Sequence, residues 1–285
     1  MAGQRSARKG VGMELVSVIV LAYRSAETII ETLDSIKNQT YPDIELIITD
    51  DCSPDNTVQV VREWIAENEG TLTAIKLVTS DKNTGLPSNI NRGLKVAEGV
   101  YYKGIAGDDY MTADAIENYV RFCEENPGVF PIAKVKLFND KNPDAVYADV
   151  QGYCDRCYEF AQKDYREQYR LLLIQNRIVA PSATFYPMDF IRQVGGYDEC
   201  YRWFEDYPMN LKAMHAGYRF GLLDKQLVWY RMSDRSVTAT SLSRLKKTEM
   251  KLFFRRKFWY MWQNKMGWEA VKQCKSWAKT ALNNK

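Results

Sequence analysis

The chain has 285 residues, 46% of them hydrophobic, and a formal net charge of +3, enough apolar content for one large domain or a domain with an appendage. Its six cysteines lack the spacing of a disulfide framework, which argues against a small secreted scaffold and for reduced thiols in the cytoplasm. No apolar run approaches the about 18–20 residues that a transmembrane helix needs.

The opening "MAGQRSARKGVG" has no apolar segment and is not a secretory signal, so residues 1–13 are expected to be a disordered leader or a cloning scar. "LVSVIVLAY" (15–23) is a continuous β-branched run, the pattern of a strand buried on both faces. Ser25 is placed to cap the helix that carries Ile29, Ile30, Leu33 and Ile36. "IELIITDD" (44–51) predicts a second buried strand, followed by a helix bearing Val58, Val61, Trp64 and Ile65. A third strand is expected at about 73–78, a helix near 87–97 and a fourth strand in "GVYYKGIA" (99–106). Strands alternating with helices over short loops imply a parallel sheet covered on both faces, an α/β fold. Beyond it, a strand is expected at 129–138, a long helix at 158–175, a strand at 180–187, a helix at about 206–216 and then a strand pair.

Charge is uneven along this order. Residues 241–285 hold twelve Lys/Arg against Glu249 and Glu269, a net of +10, while residues 1–240 hold 27 basic and 34 acidic groups, a net of −7. In the tail Met250, Phe253, Phe254, Phe258 and Met261 recur at helical spacing among the basic residues. Such a helix suits an anionic membrane surface, and equally suits packing on the catalytic body with its lysines in water. Nucleic acid is not expected as a partner, because no binding motif accompanies the charge.

Three pairs of adjacent acids stand out. Asp50–Asp51 and Asp108–Asp109 both sit at strand ends, where ligands gather in parallel sheets. Carboxylate oxygens suit hard cations such as Mg²⁺ or Mn²⁺, which keep positions open for substrate phosphates. The competing reading of "GDDYMT" is helix capping, an N-cap and a first-turn acid ahead of a helix near Thr112. Glu205–Asp206, in "WFEDYPM", admits the same alternative, and Trp203 and Phe204 beside it suit either sugar stacking or core packing. Cys154 and Cys157 form a lone C-x-x-C, and the single histidine, His215, lies far from them, so no zinc site is expected.

Read in order, these segments resemble family 2 glycosyltransferases. "VSVIVLAYRSAETIIETLDSIKNQTYPDIELIITDDCSPDNT" has that family's apolar strand ending near a tyrosine, its "S-I-x-x-Q-T" helix end and its D-D-x-S-x-D strand end. The likeness continues through "NTGLPSNINRGLKVAEG", "GDD", "GGYDE", the "ED" of Glu205–Asp206 and "YR" at 230–231, over roughly residues 15–235. It looks like the bacterial members that build surface polysaccharides such as O-antigen and capsule.

The resemblance implies a GT-A fold, a Rossmann-like nucleotide-diphospho-sugar transferase with a mostly parallel central sheet, here with a C-terminal helical extension. Residues 14–240 would form the catalytic domain, 14–110 its nucleotide-binding half and 111–240 its acceptor half, with 241–285 as the basic aromatic helical tail. It also implies a nucleotide-sugar donor (a UDP-hexose or UDP-N-acetylhexosamine), a divalent metal (Mn²⁺ or Mg²⁺), and a glycan or polyprenyl-diphosphate-linked acceptor. Carried over residue by residue, Tyr23 lies against the nucleobase and Asp51 accepts from the base edge, with Asp50 nearby. Asn91 helps shape the donor pocket, Asp108 faces the ribose and shares the metal, and Asp109 ligates it. Asp206 is the general base of an inverting transfer, and Glu205 positions sugar hydroxyls. Outside this carry-over, Arg231 admits two readings, reaching a diphosphate or standing as a solvated surface charge. This chain departs from the family at Arg24, where Asn is common, at Ile90, where an arginine is usual, and at Ala106, where many members have another acid.

Two rival classes predict other features. A metal-dependent nucleotidyltransferase calls for a glycine- and lysine-rich phosphate loop after the first strand, and "LAYRSAET" has none. A non-catalytic nucleotide- or glycan-binding module calls for loss of the metal or base acids, yet Asp109 and Asp206 are present. The expected location is the cytoplasm, with the tail able to hold the protein peripherally on the inner face of the cell membrane.

Overall fold

The structure is a computed structural model that describes residues 13–142, 145–178, 181–202, 205–232 and 244–267, with backbone alone over 244–253. Residues 1–12, Trp203, Phe204 and the tail beyond 267 lie outside the described residues.

Three buried strands form the centre of the first sheet: β1 (Val16–Ala22), β2 (Ile44–Asp50) and, across a helical crossover, β4 (Tyr101–Ala106). β3 (Ala74–Thr79) lies at one edge, and the short β7 (Tyr186–Pro187) closes the other, giving the order β3-β2-β1-β4-β7. β1 pairs in parallel with both β2 and β4, and only β7 runs antiparallel. β1 and β2 are almost wholly buried because helices cover both faces, which is why their sequences show no alternation. Those helices are α1 (Ile29–Lys37), α2 (Thr57–Glu67) and α3 (Leu86–Leu94). α3 lies close to the sheet because of Gly93, where a Cβ would stand 2.7 Å from Ile19 and 2.9 Å from Thr49.

The chain then leaves this sheet for a second one. β5 (Tyr110–Met111) and β6 (Val129–Phe138) flank β8 (Arg219–Arg231), β5 antiparallel and β6 parallel to it. α4 (Ala115–Glu125) joins β5 to β6; α5 (Ala148–Ala161) and α6 (Tyr165–Ile174) follow, then α7 (Met188–Gln193) and α8 (Asp206–His215). The tail forms α9 (Arg244–Gln263), which packs against α6. This is the expected α/β architecture with a mostly parallel central sheet and a C-terminal helix.

Several local expectations need correction. The long helix of 158–175 is two helices, because Asp164 caps a new one by accepting from the Glu167 amide at 2.8 Å. Of the strand expected at 180–187, the described residues 181–187 form a single 3-10 turn at Pro181–Ala183 before two residues of strand. The expected strand pair after α8 is one thirteen-residue strand, with register shifts against β6 between Ala133 and Val135. Ser25 does not cap α1 through its side chain; its hydroxyl accepts from the Tyr23 amide at 3.3 Å, and its carbonyl starts the turn. Cys154 and Cys157 are buried in the core.

Glu45 holds the far end of the first sheet together. It is 1% exposed and accepts from Ser17 Oγ, the Glu98 and Gly99 amides and Lys76 Nζ, all at 2.5–2.9 Å. Burial pushes its carboxyl up, but the hydrogen bonds from Ser17, Lys76, Glu98 and Gly99 outweigh this and hold it below the ordinary value of 4.5. The stability it contributes is therefore present above that value and lost as pH falls below it. Glu45→Ala is expected to cost about 3 kcal/mol, because it strands buried donors and Lys76. Urea denaturation at neutral pH tests this, and an unchanged midpoint would refute it.

Candidate active site

β4 ends at Ala106, and the next three residues carry the chain from the first sheet to the second. The Gly107 amide bonds Leu21 O at 3.0 Å and the Asp109 amide bonds Ala106 O at 3.2 Å. From α1, Thr28 Oγ1 donates to Gly107 O at 2.8 Å and Thr32 Oγ1 to Asp109 O at 2.7 Å. The Asp109 carboxylate is thereby set at the seam between the sheets. Its Oδ2 accepts from Ser182 Oγ at 2.7 Å and its Oδ1 from the Arg231 amide, at the end of β8, at 3.0 Å. Helix capping does not account for this pair: α4 begins at Ala115, with Asp114 immediately before it.

Asp109 is 2% exposed. Burial first, and then the Asp108 charge, push its carboxyl up to about 7, against the pull of Ser182, the Arg231 amide and Lys103. Asp108 is also raised, by burial, with Arg231 opposing. Lys103, fully buried under the seam, is pushed down to about 7 by burial, with Asp109 pulling it back. Its ammonium donates to the carbonyls of Ser182 and, at 3.2 Å, Thr184.

Arg231 is 8% exposed and committed to the protein. Nε donates to Asp108 O at 2.7 Å, the terminal nitrogens pair with Glu31 and Asp140, and the guanidinium lies 4.5 Å from the Phe138 ring centroid. The arginine read as reaching a diphosphate or as a solvated surface charge is here a buried clamp across α1, the end of β6 and the Asp108 turn.

At the ends of β1 and β2, Asp50 accepts from the Ser53 amide at 2.9 Å and from the Ser53 hydroxyl. Asp51 is 3% exposed, and its two oxygens accept from the Thr84 amide (3.0 Å), Thr84 Oγ1 (2.6 Å), the Gly85 amide (2.7 Å) and Arg92 Nη2 (3.3 Å). It organises the loop before α3. Tyr23 is 43% exposed, with the Arg24 guanidinium 5.3 Å from its ring centroid. Arg24 and Cys52 have φ of +55° and +64°, left-handed values that Asn, the residue common at position 24 in the resembling family, adopts more readily than Arg. An open cavity of about 330 Å³ adjoins them, lined by Arg24, Ala26, Glu27, Pro54, Asp55 and Asn56. Asn91 anchors a turn: its amide donates to Tyr197 O (2.8 Å) and Glu199 (2.9 Å) and accepts from the Tyr197 amide (2.9 Å).

The third pair opens α8. Neither acid caps it through a side chain: Glu205 stands at the N-cap position without a cap hydrogen bond, and Asp206 is the first helical residue. Asp206 Oδ2 accepts from Asn176 Nδ2 at 2.8 Å, and Asn176 Oδ1 is itself fixed by the Ile178 amide at 3.2 Å. Burial raises Asp206, with Asn176 and the Tyr207 amide opposing. Burial and then Asp206 push Glu205 up to about 8.

One side chain lies within electrostatic reach of both acidic pairs. The Tyr230 phenol is pushed up by burial and then by Asp109, Asp108, Glu205 and Asp206. Asp108–Asp109 and Glu205–Asp206 thus both lie within electrostatic reach of one phenol, while Asp50–Asp51 stand at the end of β2, separated from β4 by β1. Sequence reasoning missed Lys103, Ser182, Asn176 and Tyr230 as members of this neighbourhood. Of these Tyr230 stood in the "YR" motif at 230–231 without a role assigned to it, and Lys103 was visible as a lone cation inside an apolar strand. His215 packs structurally, its Nδ1 3.0 Å from Tyr169 Oη and its ring 4.5 Å from that of Tyr260.

Among the described residues no three acidic, histidine or cysteine side chains converge as a closed metal cage. The residues present do fit Mg²⁺ or Mn²⁺, which take one or two carboxylates and fill the rest of the shell with substrate phosphates and water. Each Asp109 oxygen accepts one hydrogen bond and keeps a lone pair. A divalent charge would offset the burial that raises both acids and the Asp108 charge that further raises Asp109.

The family model "Glycosyl transferase family 2" matches residues 17–195. An uncharacterized glycosyltransferase, EpsJ of Bacillus subtilis, is 27% identical over 228 residues, 79% of this chain and 63% of that protein. The Escherichia coli protein WfaP, a UDP-Glc:alpha-D-GlcNAc-diphosphoundecaprenol beta-1,3-glucosyltransferase, is 31% identical over 151 residues, 50% of this chain and 58% of that protein. The chain thus spans about three-fifths of the length of these two relatives. Among solved structures, S. aureus TarS 1–349 in complex with UDP-GlcNAc superposes with a TM-score of 0.66 at 21% identity, covering 86% of this chain and 66% of that one.

The raised Glu205 has a measurable consequence. A carboxyl held above its unfolded value contributes stability that is full below 4.5 and is lost as pH rises toward about 8. Glu205→Gln is expected to leave stability at about pH 4 unchanged and to raise it at about pH 9 by about 1–3 kcal/mol. Urea melts at the two pH values check this, and equal midpoints for parent and variant at the higher pH would contradict it.

Proposed function

The chain belongs to glycosyl transferase family 2, and from that premise we propose that it is a metal-dependent inverting glycosyltransferase. It takes a sugar from a UDP-hexose or UDP-N-acetylhexosamine and gives it to a hydroxyl of a glycan or polyprenyl-diphosphate-linked acceptor. The process is synthesis of a bacterial surface polysaccharide, at the cytoplasmic face of the membrane. The observation that supports the reading is a pair of acids at the seam between the sheets and a second pair at the start of α8, both within electrostatic reach of the Tyr230 phenol. One pair suits a cation and the other a proton. A nucleotidyltransferase has use for the first pair but none for the second.

Asp109 and Asp108 are the residues that would hold the divalent ion. A metal there supplies neutralisation of the charge that develops on the departing nucleoside diphosphate. Asp206 acts as general base. The acceptor oxygen attacks the anomeric carbon, the bond to the diphosphate breaks with its electron pair leaving on the diphosphate, and Asp206 takes the hydroxyl proton. Attack from the face opposite the leaving group converts an α-linked donor into a β-linked product. Burial makes the Asp206 carboxylate a stronger base than one in water, and Asn176 holds one oxygen so that the other is directed to the acceptor. Glu205 positions sugar hydroxyls. Tyr23 lines the nucleobase region beside the cavity between the first two strand-end loops. Asp50 and Asp51 shape that region through the Ser53 and Thr84–Gly85 backbone, and Asp51 presents its edge to the base. Asn91 contributes by holding the 195–199 turn.

Two substitutions test the roles separately. Asp206→Asn is expected to lower transfer about 10³-fold while donor affinity stays within about twofold. Normal turnover in that variant would remove Asp206 as the base. Asp109→Ala is expected to abolish the metal-dependent part of donor binding, measured by calorimetry with UDP and Mn²⁺. Unchanged affinity would refute its role as ligand.

A further inference from the structure

α9 presents two different faces. Its inner face is latched to the catalytic body. Lys257 is 3% exposed, donates to Ile174 O at the last turn of α6 at 2.8 Å, and lies 5.4 Å from the ring centroid of Tyr207. Met261 is buried, Tyr260 stacks on His215, and Arg256 pairs with Asp198.

The outer face carries a different set. Arg255, Phe258, Trp259 and Trp262 follow the i, i+3, i+4, i+7 spacing that puts side chains on one side of a helix. Phe258 is 38% exposed, Trp259 60% and Trp262 67%. Large aromatics held out in water by a helix whose other side is firmly docked serve no packing purpose within the described fold. Tryptophan, with an apolar body and one N–H, suits the boundary between lipid headgroups and acyl chains.

Charge decides among the possible occupants. The tail segment 241–285 has a net of +10 and the rest of the chain −7. An anionic surface therefore attracts this end of the molecule and repels the body, which orients the outer face of α9 toward that surface. A second copy docked on the same stripe would bring two such tails together, and like charge disfavours it.

We propose that the Arg255–Phe258–Trp259–Trp262 face of α9 is a membrane-docking surface that settles into the headgroup layer of an anionic phospholipid bilayer. The surface acts independently of which sugar or acceptor the enzyme uses. Because the inner face of the same helix grips α6 and touches Tyr207, the neighbour of Asp206, docking holds the candidate base at a fixed place relative to the bilayer.

The test is co-sedimentation of the full chain with vesicles of phosphatidylcholine alone and of phosphatidylcholine with phosphatidylglycerol. The readouts are the bound fraction and quenching of tryptophan fluorescence by brominated lipid. Binding is expected to the anionic vesicles only, to weaken as salt is raised, and to show quenching. Phe258→Ala, Trp259→Ala and Trp262→Ala together are expected to weaken it at least about tenfold. The unfolding midpoint of that variant, measured in parallel, verifies that it is folded. In the folded parent, brominated-lipid quenching reads the same contact without any substitution. Failure to bind anionic vesicles, binding without quenching, or equal binding by the folded triple variant overturns the proposal. So does a concentration-dependent dimer that the three substitutions abolish while vesicle binding is absent. None of these readouts uses glycosyl transfer, so their failure is distinct from failure of the Asp206 and Asp109 assignments.

Discussion

The seam between the two sheets, where Asp109 is buried next to Asp108, constrains the rest of the molecule. Two adjacent carboxylates out of water repel each other and lose hydration, so the surroundings must supply compensation. The Ser182 hydroxyl and the Arg231 amide hydrogen-bond one acid, Lys103 lies beneath it, and Thr32 holds its carbonyl. These partners come from α1, β4, the turn before β7 and the end of β8. The site therefore exists only once both sheets have formed and met.

Arg231 is the tie across that meeting. A planar guanidinium with a rigid fork of donors can hold acceptors in several directions at once. Here it takes the Asp108 carbonyl, Glu31 and Asp140 while its face lies on Phe138. Its motif suggests substrate contact; its surroundings make it a structural brace that fixes the turn carrying the acids. Asp51 and Asn91 follow the same logic, spending their hydrogen-bonding capacity on loops that border the cleft. The strained φ values at Arg24 and Cys52 lie at the ends of β1 and β2, on the side where the cleft opens, as strain tends to in functional regions.

The tail helix belongs to this economy of positioning. Lys257 caps the Ile174 carbonyl at the end of α6, and two residues later Asn176 reaches Asp206. The segment that appeared from composition to be an appendage is packed on the catalytic body along one face and open along the other. Packing occupies one side of this helix, and the proposed surface contact, an alternative to packing when read from sequence, uses the other.

The continuous apolar runs of β1 and β2, the helical spacing in α1 and α2 and the acids at strand ends were legible because each is a local pattern of period or chemistry. They determined an α/β fold with a parallel sheet and marked the three acidic pairs, and an ordered set of short motifs marked the resemblance to a family. Less legible were segments whose state depends on distant partners. Residues 181–187 turn and pair for two residues because β4 offers an edge there, and β8 runs unbroken for thirteen because β6 lies along it. The motif at Asp108–Asp109 by itself likewise fits a helix cap as well as a binding site, since both readings use the same residues at the same spacing, and only the other two acidic pairs favoured binding. Only the tertiary structure removed the helix cap, by starting α4 at Ala115, and set Asp109 against Ser182 and Arg231 from more than seventy positions away. Hydrogen bonding and burial act through space, and separation along the chain says nothing about them until the chain has folded.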